Sequence, residues 1–155
     1  MKLADHVDHL RELIEAAFDK QFARLGFSKT KQMDAAQVEK LPNEVKAKRE
    51  RFVVMLDNHI GETGGYESAR EKLLDELTFT LFNRLAAIKV MEAASLFPPI
   101  LTKQSEHGDR SFGHKAWLEM NPHMRDEELE GIRDYLKMAF EVLGQTLPLY
   151  SKAYP

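Results

Sequence analysis

The stretch from Tyr66 to Ala94 constrains the fold most, because it contains good helix formers and no glycine or proline. Ser68 and Glu71 have the spacing of a capping box, and Pro98 and Pro99 follow where a helix would stop. A helix of this length would extend about 40 Å and is apolar on most of its sides, which is typical of the buried centre of a bundle. Its apolar side chains at helical spacing include Leu73, Leu74, Leu77, Phe79, Leu81, Phe82, Leu85, Ile88, Val90 and Met91.

The rest of the chain predicts an all-α fold, an irregular bundle of about four main helices with one long loop. A short helical turn is expected near residues 34–39, and another, over residues 114–120, within the long loop of residues 102–123. The Gly-rich stretch 61–65 divides an amino-terminal helical pair with its connector, residues 1–61, from a second region, residues 64–155, in one compact domain. The other main helices are predicted over residues 2–25, 42–61 and 125–143.

Composition excludes several classes of protein. The 155 residues are 43% hydrophobic, which is enough for a core, and contain no cysteine, so disulfides, thiolate metal sites and a cysteine nucleophile are excluded. No uncharged apolar run is long enough to span a membrane, and the charged amino end is unlike a signal peptide, so we expect a cytoplasmic protein with no membrane partner. The net charge of −3 removes the simplest argument for nucleic-acid binding.

Motifs that would identify an enzyme are missing from the sequence. Gly61–Ser68 resembles a phosphate loop only in its glycines, because Tyr66 and Glu67 stand where the lysine is needed, and an inter-helix turn is predicted instead. His6 and His9 share a helix face without a third ligand, so they are interpreted as surface residues. Loop residues could gather round a divalent ion, but their spacing is too loose to predict a metal. These residues are Glu106, His107, Asp109 and His114.

Basic residues are concentrated between Arg24 and Arg51, where eight Lys or Arg accompany four Asp or Glu. A solvated helix face is the simpler interpretation, and contact with a DNA backbone is the alternative. The candidate DNA-backbone residues are Lys46, Lys48, Arg49 and Arg51, with Lys103, Arg110 and Lys115 in the long loop.

Asn83 and Arg84 interrupt the apolar surface of the longest helix. An amide and a guanidinium placed there need partners, so we expect contacts to a neighbouring helix or domain. A structural buried ion pair for Arg84 is one interpretation, and direct contact with a substrate is the other.

The segment from Asp75 to Ala93, with its Phe-Asn-Arg-Leu-Ala-Ala core, resembles the amino-terminal helical region of adenine-specific DNA methyltransferases. The similarity is to the PglX-like enzymes of BREX phage-defence systems and to related type II restriction–modification enzymes. Arg110–Trp117 and Leu147–Pro155 also resemble that family, so the likeness extends over residues 64–155 but not over residues 1–61.

The resemblance implies a longer parent that transfers a methyl group from S-adenosylmethionine to adenine. It implies that the partners are the methyltransferase domain of that parent and, as further candidates, DNA and other subunits of the defence system. The cofactor turn and the Asn-Pro-Pro-Tyr motif of such enzymes are absent, and Asn121-Pro122 lacks the second proline and the aromatic residue. No catalytic or cofactor-binding residue is therefore predicted in this chain. The alternative is a stand-alone helical protein-interaction module.

Overall fold

The computed structural model of the chain describes residues 2–152, most of which are helical. Contacts divide the chain into two compact units, the first ending at Phe82 and the second beginning at Asn83. The prediction of a mostly helical fold is confirmed, but six α-helices occur in residues 2–152 where about four main ones were predicted. They are α1 Leu3–Arg24, α2 Ala35–Glu39, α3 Asn43–Thr63, α4 Tyr66–Ala93, α5 Phe112–Met120 and α6 Ile132–Leu143.

Local signals set the ends of the first helices. The Asp5 carboxylate accepts a hydrogen bond from the Lys2 backbone N–H at 2.9 Å, which satisfies one free donor at the start of α1. Gly26 follows α1 with φ +89°, and a side chain there would approach the Cβ of Met33 to 2.7 Å. Only glycine fits this turn without strain, so the predicted end of the first helix is confirmed.

The core of the first unit forms where α1, α3 and α4 meet. Phe22 and Phe52 pack edge to face with ring centroids 5.2 Å apart. Arg70 is only 5% exposed; it donates to Asp19 Oδ1 at 2.8 Å and to the Phe27 carbonyl at 3.1 Å. The buried guanidinium is therefore paired with a carboxylate and a carbonyl beside the aromatic cluster. The buried apolar residues of this core are Phe22, Leu25, Phe27, Leu56, Ala69, Leu73 and Leu74.

The second unit contains α5, α6, the end of α4 and a small antiparallel hairpin, whose strands are β1 Lys103–Gln104 and β2 Arg110–Ser111. The short helix predicted within the long loop of residues 102–123 is confirmed as α5, which begins two residues earlier, whereas the hairpin was not predicted. Ser111 Oγ accepts from the His114 N–H at 3.0 Å, so α5 begins at the residue after this cap.

The sixth helix begins seven residues later than predicted from its apolar stripe. Leu129, Glu130 and Gly131 all adopt left-handed backbone angles, with φ between 50° and 66°, so the helix cannot extend back to Arg125. Residues 122–126 and 128–131 form 3₁₀ turns instead. Leu129, predicted in the buried stripe, is 74% exposed.

The turn between α3 and α4 is tighter than the sequence indicates. Gly64, with φ +79°, ends α3 after Thr63, and α4 begins at Tyr66, where the Ala69 N–H bonds to the Gly65 carbonyl. The predicted capping box is wrong, because Ser68 already lies inside α4. The proposed boundary near this turn stays a prediction. Among the described helices, none is long and apolar enough to cross a membrane.

Candidate functional site

Arg84 attaches the carboxy-terminal segment of the second unit to α4. Its Nε donates to the Leu149 carbonyl at 2.8 Å and its Nη2 to the Ser151 carbonyl at 3.3 Å. In return, Tyr150 Oη donates to the Arg84 carbonyl at 2.6 Å. The guanidinium also lies 5.7 Å from the centre of the Phe140 ring. Arg84 therefore has a structural role inside this unit, while Asn83 beside it is half-buried; contact of either residue with another domain stays a prediction.

Replacing Arg84 by leucine should lower the free energy of unfolding of the second unit by about 2 kcal/mol, because the Leu149 and Ser151 carbonyls lose a charged donor. Urea denaturation followed by the fluorescence of Trp117, the only tryptophan in the chain, measures this loss. The matched control is Arg133→Leu at an exposed position of α6, which should change stability by less than about 0.5 kcal/mol. Equal effects of the two substitutions would contradict the assigned role.

Arg110, on β2, forms a two-point ion pair with Glu130. Its Nε and Nη2 donate to the two carboxylate oxygens at 2.5 and 2.6 Å. The hydrogen bond from Arg110 lowers the pKa of Glu130. His114 Nε2 lies 2.9 Å from the Glu130 carbonyl, and its ring stacks on Tyr135 at 5.2 Å. These contacts hold the left-handed turn at residues 129–131 in place. The charge of Arg110 is neutralised by its ion pair with Glu130.

Glu92, near the end of α4, organises the chain that leads into the hairpin. Its side chain is 5% exposed. One carboxylate oxygen accepts from the backbone N–H groups of Ile100 and Leu101, both at 2.5 Å, and the other accepts from Thr102 Oγ1 at 2.5 Å. Burial alone would raise the pKa of Glu92, but these hydrogen bonds together lower it.

The four basic candidates on α3 do not share one surface. Lys48 and Arg51 are exposed, whereas Lys46 and Arg49 are half-buried on another side of the helix. The Arg49 guanidinium lies 4.7 Å from the centre of the Phe27 ring and 3.5 Å from Gln32 Oε1. A continuous basic row along this helix is therefore not formed.

The candidates in the second unit are also dispersed. Lys103 is exposed on β1, Lys115 is half-buried on α5, and Arg110 is paired with Glu130. The structure therefore supplies no cluster of free cations at these positions, and their contact with a DNA backbone stays a prediction.

No group of three or more His, Asp or Glu side chains in residues 2–152 is arranged to hold a metal ion. His114 is engaged with the Glu130 carbonyl, and His107 lies 3.9 Å from Glu106 Oε1. Asn121, at the end of α5, donates its side-chain amide to the Trp117 carbonyl at 3.0 Å, so this amide serves the helix end.

The sequence reasoning missed two engaged charges, Arg70 and Glu92. Arg70 follows the buried Ala69 on α4, and Glu92 lies between apolar residues near the same helix's end. The signal that singled out Arg84, a charge within an apolar stretch of helix, applies to Glu92 but not to Arg70, whose neighbours in the sequence are mostly polar.

Comparison of the chain with protein-family models, with curated proteins and with solved structures finds no match. The resemblance to adenine-specific DNA methyltransferases therefore rests on the motifs alone.

Proposed function

We propose that the chain is a non-catalytic helical domain of an adenine-specific DNA methyltransferase that depends on S-adenosylmethionine and belongs to a phage-defence or restriction–modification system. The support from sequence is the segment Asp75–Ala93 and the two shorter segments that resemble such enzymes. In this proposal the domain is a platform for the methyltransferase domain of the parent, and the cofactor and the reacting groups belong to that other domain.

One observation carries the proposal: residues from the separate resembling segments contact one another. Arg84, in the central motif, bonds to the carbonyls of Leu149 and Ser151 in the last resembling segment. The third segment, Arg110–Trp117, forms β2 and most of α5 in the same unit. This contact is a physical reason for an arginine in an apolar motif and for the motif and the terminal segment to occur together.

Exposed apolar side chains supply surface for the platform role. A large partner domain could cover them, since side chains of this size gain about 1.5–3 kcal/mol each when fully buried. Those in the second unit are Val90, Leu96, Phe112, Met120, Leu129 and Val142.

We infer that the domain is non-catalytic because the side chains of the second unit that could act as acids or bases are engaged with other residues. Glu92, Arg110 and His114 each hold backbone or side-chain partners within the second unit. A general base or a nucleophile needs to be free to reach a substrate, which these engagements oppose.

The proposal is tested on the gene and on its product. We expect the reading frame to continue beyond the codon for Pro155 into a Gly-rich strand turn and an Asn-Pro-Pro-Tyr or Asn-Pro-Pro-Phe motif. The product of that full frame should transfer a labelled methyl group to adenine-containing duplex, and the 155-residue chain alone should not. A frame that stops after Pro155 would favour the stand-alone interaction module, and methylation by the short chain would overturn the non-catalytic assignment.

A further inference from the structure

The turn that precedes α6 has a strained backbone at two residues other than glycine. Leu129 and Glu130 have φ angles of 50° and 53°, in the left-handed region, and Gly131 follows with 66°. The Cβ atoms of leucine and glutamate make this conformation unfavourable, whereas glycine adopts it readily. Other contacts in the structure must therefore compensate the cost at Leu129 and Glu130.

The local sequence favours a right-handed helix over the same residues. Residues 125–130 read Arg-Asp-Glu-Glu-Leu-Glu, in which arginine, glutamate and leucine are good helix formers. The acidic residues would lie in the first turn of an extended α6, where they complement the helix dipole. In the structure α6 instead begins at Ile132, after Gly131, and no side chain of residues 2–152 caps it. An extension would supply carbonyl partners to the N–H groups of its first turn, which a helix start lacks.

The side chain of Leu129 has apolar surroundings available close by. It is 74% exposed, although it lines a cavity of about 460 Å³ whose apolar walls include Ile100, Leu101, Ile132 and Leu136. In a continuous helix, Leu129 lies three residues before Ile132 and seven before Leu136, so the three share one face. Extension of α6 would therefore bring Leu129 onto the apolar face that borders this cavity, and burial there is favourable.

Two contacts of Glu130 oppose these preferences. Arg110 donates from Nε and Nη2 to both carboxylate oxygens of Glu130, and His114 Nε2 lies 2.9 Å from the Glu130 carbonyl oxygen. The directions of the carbonyl and of the Cα–Cβ bond differ between a left-handed and a right-handed backbone. Both contacts therefore cannot be kept when residue 130 becomes helical, and they stabilise the left-handed turn at the expense of the extension.

We propose that residues 127–131 are a two-state latch controlled by the ion pair between Arg110 and Glu130. While the pair is formed, the turn is left-handed and Leu129 is presented to solvent. When the pair is broken, α6 extends towards Glu127 and Leu129 packs beside Ile132. The latch is thus one sequence with two alternative packings, and it sets whether an apolar side chain is displayed or withdrawn. It depends neither on the contacts of Arg84 nor on the family resemblance.

The test is NMR spectroscopy of the full 155-residue chain. A positive φ brings a residue's own Hα and amide proton close together, so strong intraresidue Hα–HN NOEs are expected at Leu129 and Glu130 of the unchanged protein. Glu130→Gln should weaken the NOE at Leu129, because the backbone becomes right-handed. The amide protons of Arg133 and Asp134 should then exchange with solvent about tenfold more slowly, because they gain helical carbonyl partners.

Two further measurements follow the same signals. Raising the salt from about 50 mM to about 1 M should shift the unchanged protein in the same direction, because salt screens the partly exposed ion pair. This arm decides the question without a substitution if Glu130→Gln unfolds the second unit, which circular dichroism would show. Adding Leu129→Gly to Glu130→Gln should restore fast exchange at Arg133 and Asp134, because glycine adopts the left-handed turn readily and has no side chain to bury.

The matched control is Glu128→Gln, because Glu128 is exposed and forms no ion pair among the described residues. It removes the same charge and should leave the NOE and the exchange rates unchanged. A strong NOE that persists at Leu129 in folded Glu130→Gln, or an equal effect of Glu128→Gln, would overturn the proposal. Faster exchange at Arg133 and Asp134 in folded Glu130→Gln would also overturn it, because the segment would then have lost order instead of becoming helical.

Discussion

The variant Gly113→Ala should lose about 3 kcal/mol or more of the free energy of unfolding of the second unit. A Cβ on Gly113 would overlap Tyr135 Oη and would also lie 3.3 Å from Tyr135 Cζ and 3.4 Å from the Pro99 carbonyl. The backbone cannot retreat easily, because the Gly113 N–H already bonds to the Pro99 carbonyl at 3.0 Å. Alanine normally stabilises a helix by about 1 kcal/mol relative to glycine, which would favour this substitution. The expected loss of stability is therefore due to the clash with Tyr135, which outweighs that gain.

Urea denaturation followed by Trp117 fluorescence measures this effect, because the indole packs 5.9 Å from the Tyr135 ring. Tyr135→Phe in the Gly113→Ala background removes the overlapping oxygen and should restore much of the lost stability. By itself, Tyr135→Phe should cost about 1 kcal/mol, through the hydrogen bond from its hydroxyl to the Ile100 carbonyl. A Gly113→Ala protein as stable as the unchanged one would show that this packing is described wrongly.

The second large effect is expected for Glu92→Gln, which should cost about 3 kcal/mol near neutral pH. A neutral amide replaces the carboxylate that accepts from Ile100, Leu101 and Thr102, and its NH₂ group turns one acceptor into a donor. The segment that leads into the hairpin loses the hydrogen bonds that fix it, so the backbone N–H groups of Ile100 and Leu101 should also exchange hydrogen faster with solvent.

Acid should remove the contribution of Glu92. Its pKa in the folded protein lies below its ordinary value of 4.5, so folding favours the ionised carboxylate. The contribution to stability is fully present above about pH 4.5, and it is lost as the pH falls through the lowered pKa. The stability difference between the unchanged protein and Glu92→Gln should therefore shrink below about pH 4.5.

Glu119→Gln is the control for this experiment, because Glu119 is exposed on α5 and forms no ion pair among the described residues. It should have nearly the stability of the unchanged protein at neutral pH. A difference between Glu92→Gln and the unchanged protein that is constant from pH 7 to about pH 3 would contradict the role of the charge.

Helices whose limits depend on local signals were predicted well from the sequence. The end of α1 before Gly26, the short α2 after Asp34 and the end of α4 before Pro98 follow from apolar spacing and helix breakers, although the capping box predicted for α4 is not formed. The start of α6 could not be predicted, because the left-handed turn at Leu129 depends on partners elsewhere in the chain. Arg110 and Glu130 are 20 residues apart, and no local pattern connects them.

The candidate site was predictable only in part. Arg84 could be singled out as a charge on an apolar helix, but its carbonyl partners lie 65 and 67 residues away. A helical wheel would have separated Lys48 and Arg51 from Lys46 and Arg49, since residues on one face of a helix recur every three or four positions.

The attachment of residues 147–150 to α4 has a consequence for the newly made chain. This segment is apolar and aromatic, and Tyr150 becomes buried only when Arg84 and Phe140 are in place. Before it packs, this segment is an exposed apolar stretch of the kind that promotes aggregation and that chaperones bind. The hydrogen bonds of Arg84 to this segment therefore oppose its exposure once the chain has folded.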